Sequence, residues 1–440
     1  MALLSRRQIL GAAAAAAVLP GLKWTVPARA KSPVRFQSTA DLPVLELDVQ
    51  TSVEKGRLTT KGQHYAAMPM GAVILVPAGA EIPAAWWSFR LNRNSAVQDG
   101  ARFVLRGEVA DRPGRLVAPG NQGVMNLANR SGRAVSFWFE DLQIHGGKGG
   151  DAMRLSFAED VRLDRVTIVG GKNGLFSSGN PIDLELLNSE IHHSGRGDGY
   201  SHNLYVGYIR RMTVRNCRIY SPRTQGHVFK CYARDLDIRD SYLSHYETPE
   251  DLAEGFYGEL PLFDRGAWGS TIAVGNTFVR RGPVRPTMIE LRNRAYPPGY
   301  SKWVEPGWGT EEVDFRQVDN RDPTNPHLFR HLFYRNRVIN GLLPDGGVDP
   351  QIAAQSGTML RNNGSAAWDV MVKGKLAGGS APAGWQPHNE RSVAYLVENA
   401  IEGVPFAKRT DPIPYRQPEL RTPIRELDSL PEWAADWIKG

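Results

Sequence analysis

The feature that most constrains this chain is a short pattern that recurs along its middle. Two apolar residues spaced two apart lead to a polar residue, and another apolar residue follows three positions later. The copies read FWFEDLQI, VRLDRVTI, LELLNSEI, MTVRNCRI, LDIRDSYL, IAVGNTFV and LFYRNRVI. Their polar marks are Asp141, Arg165, Asn188, Asn216, Asp240, Asn276 and Asn336, separated by 24, 23, 28, 24, 36 and 60 residues. A weaker copy, FVLRGEVA, begins at Phe103. Alternation on both sides of each mark specifies strands. Asn or Asp at most marks has a mechanism: an Asx side chain tolerates a sharp bend between strands and can hydrogen-bond the neighbouring copy.

One copy every two dozen residues, with three short strands in each, predicts an all-β chain: a right-handed parallel β-helix solenoid with terminal caps and two long loop excursions. A β-sandwich would put Asn-Gly or Asp-Gly turns at its strand junctions. Asp99-Gly100, Asp198-Gly199 and Asp345-Gly346 all lie away from the marks. Over residues 103–339 the repeat resembles the pectin-lyase-like right-handed parallel β-helix proteins. That resemblance implies action on polysaccharides, often acidic ones. The paired-aspartate run of the pectin hydrolases and the DPHD run of the alginate epimerases are absent from this sequence.

The ends have a different character. SRRQILGAAAAAAVLPGLKWTVPARA carries a twin arginine at Arg6 and Arg7, an alanine-rich run and a small-residue exit at Ala28-Arg29-Ala30, the layout of an export signal over residues 1–30. Pro20 and Lys23 interrupt the apolar run, which is too short for a membrane span. The expectation is a bacterial periplasmic or secreted protein that meets the export machinery through this signal, with no stable membrane insertion. Arg6, Arg7, Lys23 and Arg29 lie in the segment, which has no acidic residue, so the rest of the chain keeps +3 of the formal +7. Such a surplus suits an anionic ligand, and no lysine/arginine block is long enough for a nucleic-acid arm. Two cysteines, Cys217 and Cys231, exclude a disulfide framework and read as buried thiols. Residues 31–102 are expected to form a cap and the first coils, with GAVILVPAG as an early strand. Residues 103–402 form the repeat region, with insertions at 244–258 and 293–331. The proline-rich 403–440 is expected to leave the sheets, its LPEWAADWIKG packing as a short cap helix.

After each mark the chain bends again into another strand: AMRLS, GLFSS, HNLYV, HVFKC, GELPL and MIELR. With the apolar residues inward, Arg154, Asn203, Tyr205, Lys230, Glu259, Glu290 and Arg292 fall on one outward wall. His202 and His227 match at the strand entrances, either in the site or as a stacked structural pair. The insertion at 293–331 brings Tyr296, Tyr300, Trp303 and Trp308, rings that suit sugar stacking.

Three functions fit such a wall. The first is β-elimination from an acidic, uronate-containing polysaccharide or oligosaccharide, which needs charge relief at the carboxylate, a base and an acid. Asn203 and Arg292 would bind or neutralise the carboxylate, His202, His227 or Lys230 would be the base, and Tyr205 the acid or a shared acid–base. The sequence names no cofactor. A Ca²⁺ ion bridging substrate to Glu259 or Glu290 would fit the chemistry, without a dense Asp cluster to announce it. The second is glycoside hydrolysis through Glu259 with Asp198, Glu247 or Asp264. The third is non-catalytic binding of an envelope polysaccharide. The glycines of HGGKGGD lack P-loop spacing and read as a corner.

Overall fold

The computed structural model describes residues 35–438, apart from 56, 85–86, 178–180, 208, 234, 267–269, 284–286, 293–328, 344, 355–356, 364–391 and 413–423. The export signal, Trp303 and Trp308 therefore lie outside the described residues, as do Tyr296 and Tyr300.

The first five polar marks are bends. Asp141, Arg165, Asn188, Asn216 and Asp240 adopt left-handed backbone with φ between 48° and 55°, a conformation that side chains other than Asn, Asp and Gly resist. Each bend joins two strand segments of one sheet, as Asn188 joins Pro181–Leu187 to Glu190–His192. A second bend then delivers a third strand, here Leu204–Val206, to another sheet. That strand lies between Leu175–Ser177 and Phe229–Cys231, the corresponding strands of the preceding and following repeats. The described residues are mostly β, in one sheet of twenty strands and one of ten. Every strand pairing in these sheets is parallel, and the ten-stranded sheet follows sequence order throughout.

At the later marks the alignment shifts by one residue. The left-handed positions there are Gly275, Arg335 and Glu398. Asn276 and Asn336 sit one step further on, where the side chain turns inward and is almost fully buried. Asn276 Nδ2 donates to Asn336 Oδ1 at 2.9 Å, and Asn336 Nδ2 donates to Asn399 Oδ1 at 2.9 Å. Ser189 and Ser241 hold the same inner position in earlier repeats and accept from the backbone N–H groups of Val166 and Cys217. The single polar column read from sequence is thus two columns: an outer one that makes the bend and an inner one that satisfies buried amides.

Inward residues form one continuous apolar cluster from Leu47 to Phe406. Phe229 stacks on Phe263 with centroids 4.9 Å apart, and Phe263 meets Phe278 and Phe333 edge-on. Each such pair adds about 1 kcal/mol beyond its buried area. Cys217 and Cys231 are buried free thiols. Burial pushes the Cys217 thiol up to about 12. The early strand is present as Gly71–Val76.

The expectation that the chain leaves the sheets after about residue 403 is corrected. Lys408–Pro412 pairs with Thr358–Asn363, and Ile424–Leu427 pairs with Ser392–Val397. Both are the last strands of their sheets, where a proline costs no interior ladder bond. The final residues do form a short helical end, Glu432–Ala434 running into Ala435–Ile438, whose last carbonyl accepts from Arg239. No helix among the described residues is long and apolar enough to cross a membrane.

Candidate active site

Six consecutive strands of the ten-stranded sheet align a column of side chains on the face away from the apolar core. Arg154, Phe176, Tyr205, Lys230, Asp264 and Glu290 are successive backbone partners along it. Their flanking residues, such as Leu204, Val206, Phe229 and Cys231, are fully buried in the core. Adjacent strands lie about 4.8 Å apart, so residues up to 34 positions apart in sequence become near neighbours.

Arg154, Tyr205, Lys230 and Glu290 occupy the column as expected. Arg154 is 41% exposed at its open end, its guanidinium 5.0 Å from the Phe176 ring and paired with Asp151. Toward Asp264 the column closes: Lys230 is 6% exposed, Glu290 4% and Asp264 fully buried. Arg292 lies on the same strand as Glu290, paired in register with Gly266.

Two expectations about this wall are corrected. Asn203 is not outward. It is fully buried at the bend, where Oδ1 accepts from the Ser194 N–H and Nδ2 donates to the Tyr220 carbonyl, so its amide is committed to the bend rather than to a substrate carboxylate. Glu259 is not on the wall either. The strand is Phe263–Gly266 rather than GELPL, and Glu259 lies ahead of it, within reach of the Tyr257 hydroxyl at 3.4 Å. Asp264 takes the wall position. Its neighbour Arg265 points into the core, where Nε donates to Thr271 Oγ1 at 2.9 Å.

His202 and His227 are matched, as their spacing predicts, with ring centroids 4.9 Å apart. His202 Nδ1 accepts the His227 backbone N–H at 3.0 Å, and its Nε2 lies 3.3 Å from Lys230 Nζ. His227 Nδ1 donates to the Pro261 carbonyl at 2.7 Å, and its Nε2 lies 3.3 Å from Asp264 Oδ2. The Tyr232 hydroxyl donates to the same carboxylate oxygen at 3.3 Å, while Lys230 Nζ is 3.9 Å from it. Lys230 also sits 4.9 Å from the centre of the Tyr205 ring. Lys230 therefore lies within reach of His202, the Tyr205 ring and the Asp264 carboxylate at once. Tyr232 was missed in the sequence because it lies beyond the strand FKC, outside the alternation.

The insertion at 244–258 is tied to the corner ahead of this face. It contains the helix Pro249–Ala253, capped by Thr248 in a capping box with Asp251. Asp251 Oδ1 is 2.7 Å from His193 Nε2, and Oδ2 accepts the Ser221 hydroxyl at 2.7 Å. Burial pushes the Asp251 carboxyl up, but the Ser221 hydroxyl, the Glu247 N–H and His193 outweigh it and hold it below its ordinary value. Glu247 belongs to this outer cluster, accepting from Tyr242 and pairing with Arg218. Asp198 lies in the corner segment between 193 and 203, so neither of these carboxylates stands on the wall. Of the insertion at 293–331, residues 293–328 lie outside the described residues, and 329–331 belong to the strand Phe329–Tyr334.

Among the described residues no three His, Cys, Asp or Glu side chains are grouped to hold a metal ion. Glu259 and Glu290, the residues expected near Ca²⁺, fall on different elements, one ahead of the strand and one on it. Comparison with protein-family models, with curated proteins and with solved structures finds no match to this chain.

Proposed function

We propose that this chain is an exported right-handed parallel β-helix lyase that cleaves an acidic, uronate-containing polysaccharide by β-elimination. The parallel sheets, the strictly sequential pairing and the general right-handedness of parallel crossovers support the architecture. The observation that carries the reaction is the contact of Lys230 Nζ with His202 Nε2 at 3.3 Å beside Tyr205. His202 Nδ1 already accepts a backbone N–H, so the neutral ring carries its proton on Nε2. The Lys230 amine stands 3.3 Å from that nitrogen, where its lone pair can accept the proton. Asp264, which would favour an ammonium, is nearer to His227 than to Lys230. We assign Lys230 as the base and Tyr205 as the acid.

In this reading Lys230 takes the proton from the carbon α to the uronate carboxylate. The electron pair left behind forms the carbon–carbon double bond as the bond to the leaving sugar oxygen breaks. The Tyr205 hydroxyl protonates that oxygen. Proton return from the Lys230 ammonium to the Tyr205 phenolate restores the site. Arg154, at the open end, relieves charge on the substrate carboxylates.

The test is ultraviolet absorbance of the unsaturated uronate when purified protein meets a panel of acidic polysaccharides. The expected result is a rising signal on one of them, reduced about 10²-fold or more in Lys230→Ala and Tyr205→Phe with unchanged melting. A flat trace with new reducing ends would replace elimination by hydrolysis. One observation favours that second reading: Asp264 and Glu290 are direct partners on adjacent strands, near the carboxylate spacing of about 5 Å used by retaining glycosidases. It ranks behind because Asp264 is fully buried and bound by His227 and Tyr232. A flat trace without new ends would leave only polysaccharide binding.

A further inference from the structure

The corner between the two sheets carries an open cleft of about 280 Å³ lined by Asn121, Lys148, Gly149, Gly195, Arg196 and Arg223. These residues come from bends that are stacked by backbone bonds. The Gly147 N–H donates to the Gln122 carbonyl, the Gly195 N–H to the Gly171 carbonyl, and the Arg223 N–H to the Ser194 carbonyl. Lys148, Arg196 and Arg223 are therefore spread over three strand spacings, about 14 Å. The floor is bare backbone. A Cβ at Gly147 would stand 2.1 Å from the Gly120 carbonyl oxygen, and one at Gly149 would stand 2.2 Å from that of Asn121. This is why the corner sequence is HGGKGG.

The charge at this corner is lopsided. Among the described residues, Lys148, Arg196 and Arg223 join no salt bridge. Asp198 is the counter-charge nearby. Burial pushes its carboxyl up, but the Tyr200 N–H, the Ser201 hydroxyl and the charges of Lys172 and Arg196 hold it below its ordinary value. Lys148, Lys172, Arg196 and Arg223 outnumber the carboxylate of Asp198 along this strip. Arg223 is held over a ring: its guanidinium carbon lies 4.6 Å from the centre of Phe256, which in turn packs against His193 at 4.7 Å. A stacked guanidinium keeps its N–H edge available for a planar carboxylate. The bends that carry Arg196 and Arg223 run directly into the strands that carry Tyr205 and Lys230.

We propose that this corner cleft binds successive carboxylate groups of a linear acidic polysaccharide, anchoring the polymer beside the Tyr205–Lys230 face. A single small anion would need one convergent pocket, whereas a strip this long suits a chain with charge on every sugar. The proposal rests on the acidic-polysaccharide part of the reading above and not on its reaction.

Titration calorimetry on the full chain tests it, with oligogalacturonate and oligoalginate as probes, and inorganic sulfate and a neutral oligosaccharide as comparisons. Lys148→Glu and Arg196→Glu alter exposed side chains, and melting curves check their folding. The expected result is at least a tenfold loss of affinity for the acidic oligosaccharide in each variant and a weaker dependence on salt. Equal affinity in variant and parent would overturn the proposal. So would sulfate competing as well as the oligosaccharide, or no acidic oligosaccharide binding at all. Lys230→Ala separates the two readings. If it binds normally while the charge-reversed variants do not, the cleft stands whether or not the chromophore ever forms. If the chromophore forms and the charge-reversed variants bind like the parent, the lyase stands and the cleft falls.

Discussion

At the scale of single residues, the buried histidines make this protein sensitive to acid. Burial lowers His245 to about 3, against a weaker opposing pull from its bond to the Leu260 carbonyl. Burial, with His193 adding to it, lowers His192 to about 4. Both folded values lie below the unfolded value of 6.5, so the native state binds fewer protons. The stability this confers is complete above about 6.5 and is lost as pH falls toward 4 and then 3. Urea denaturation should therefore give a lower midpoint at pH 5 than at pH 7, and His245→Leu should flatten that difference; a parent midpoint independent of pH would contradict the assignment. The residue scale also separates what sequence could and could not reveal. The match of His202 with His227 follows from spacing alone. Asp264 was obscured because Arg265, beside it, is a buried arginine at an inward position. An inward arginine breaks the apolar alternation of FDRG, while Leu260 and Leu262 imitate that alternation a few residues too early.

At the scale of elements, the two polar columns differ in what they hold up. Asn336 is 1% exposed, and its amide joins Asn276, Ala273 and Asn399 through four hydrogen bonds. Asn336→Ala would strand several buried backbone and side-chain groups, at a cost of roughly 2–4 kcal/mol. Asn188 sits on an exposed bend, where its amide donates to Asp164 Oδ1 and accepts from Asn216 Nδ2 at 2.9 Å each; water can replace both partners and glycine suits the left-handed backbone, so Asn188→Gly should cost about 1 kcal/mol or less. Equal losses in chemical denaturation would refute the distinction. Sequence spacing located both columns but merged them, because a one-residue offset is invisible when Asn serves in either place. The tail was hidden for another reason. Prolines argue against interior strands, and these last strands are at the sheet edge, where the argument does not apply.

At the scale of the whole molecule, register is what brings the Lys230 cluster together. Tyr205, Lys230, Asp264 and Glu290 share a face only because each strand pairs with no slip. One residue inserted between Lys230 and Cys231 would exchange inward and outward side chains beyond it. Loss of a cooperative melt is the expected outcome. The same insertion beside Gly199, an open bend position whose nearest outside neighbour is the Gln225 side chain, should leave the melt intact. Indifference to both insertions would mean that the pairing is not what holds the cluster. Because each strand in the ten-stranded sheet touches only the ones before and after it, this sheet unpairs most readily at its two ends. Heat or a protease would peel the chain from its ends inward, one layer at a time. His202 and Lys230, with several layers on either side, would be among the last groups to lose their neighbours, so chemistry at this site should outlast the first visible loss of structure.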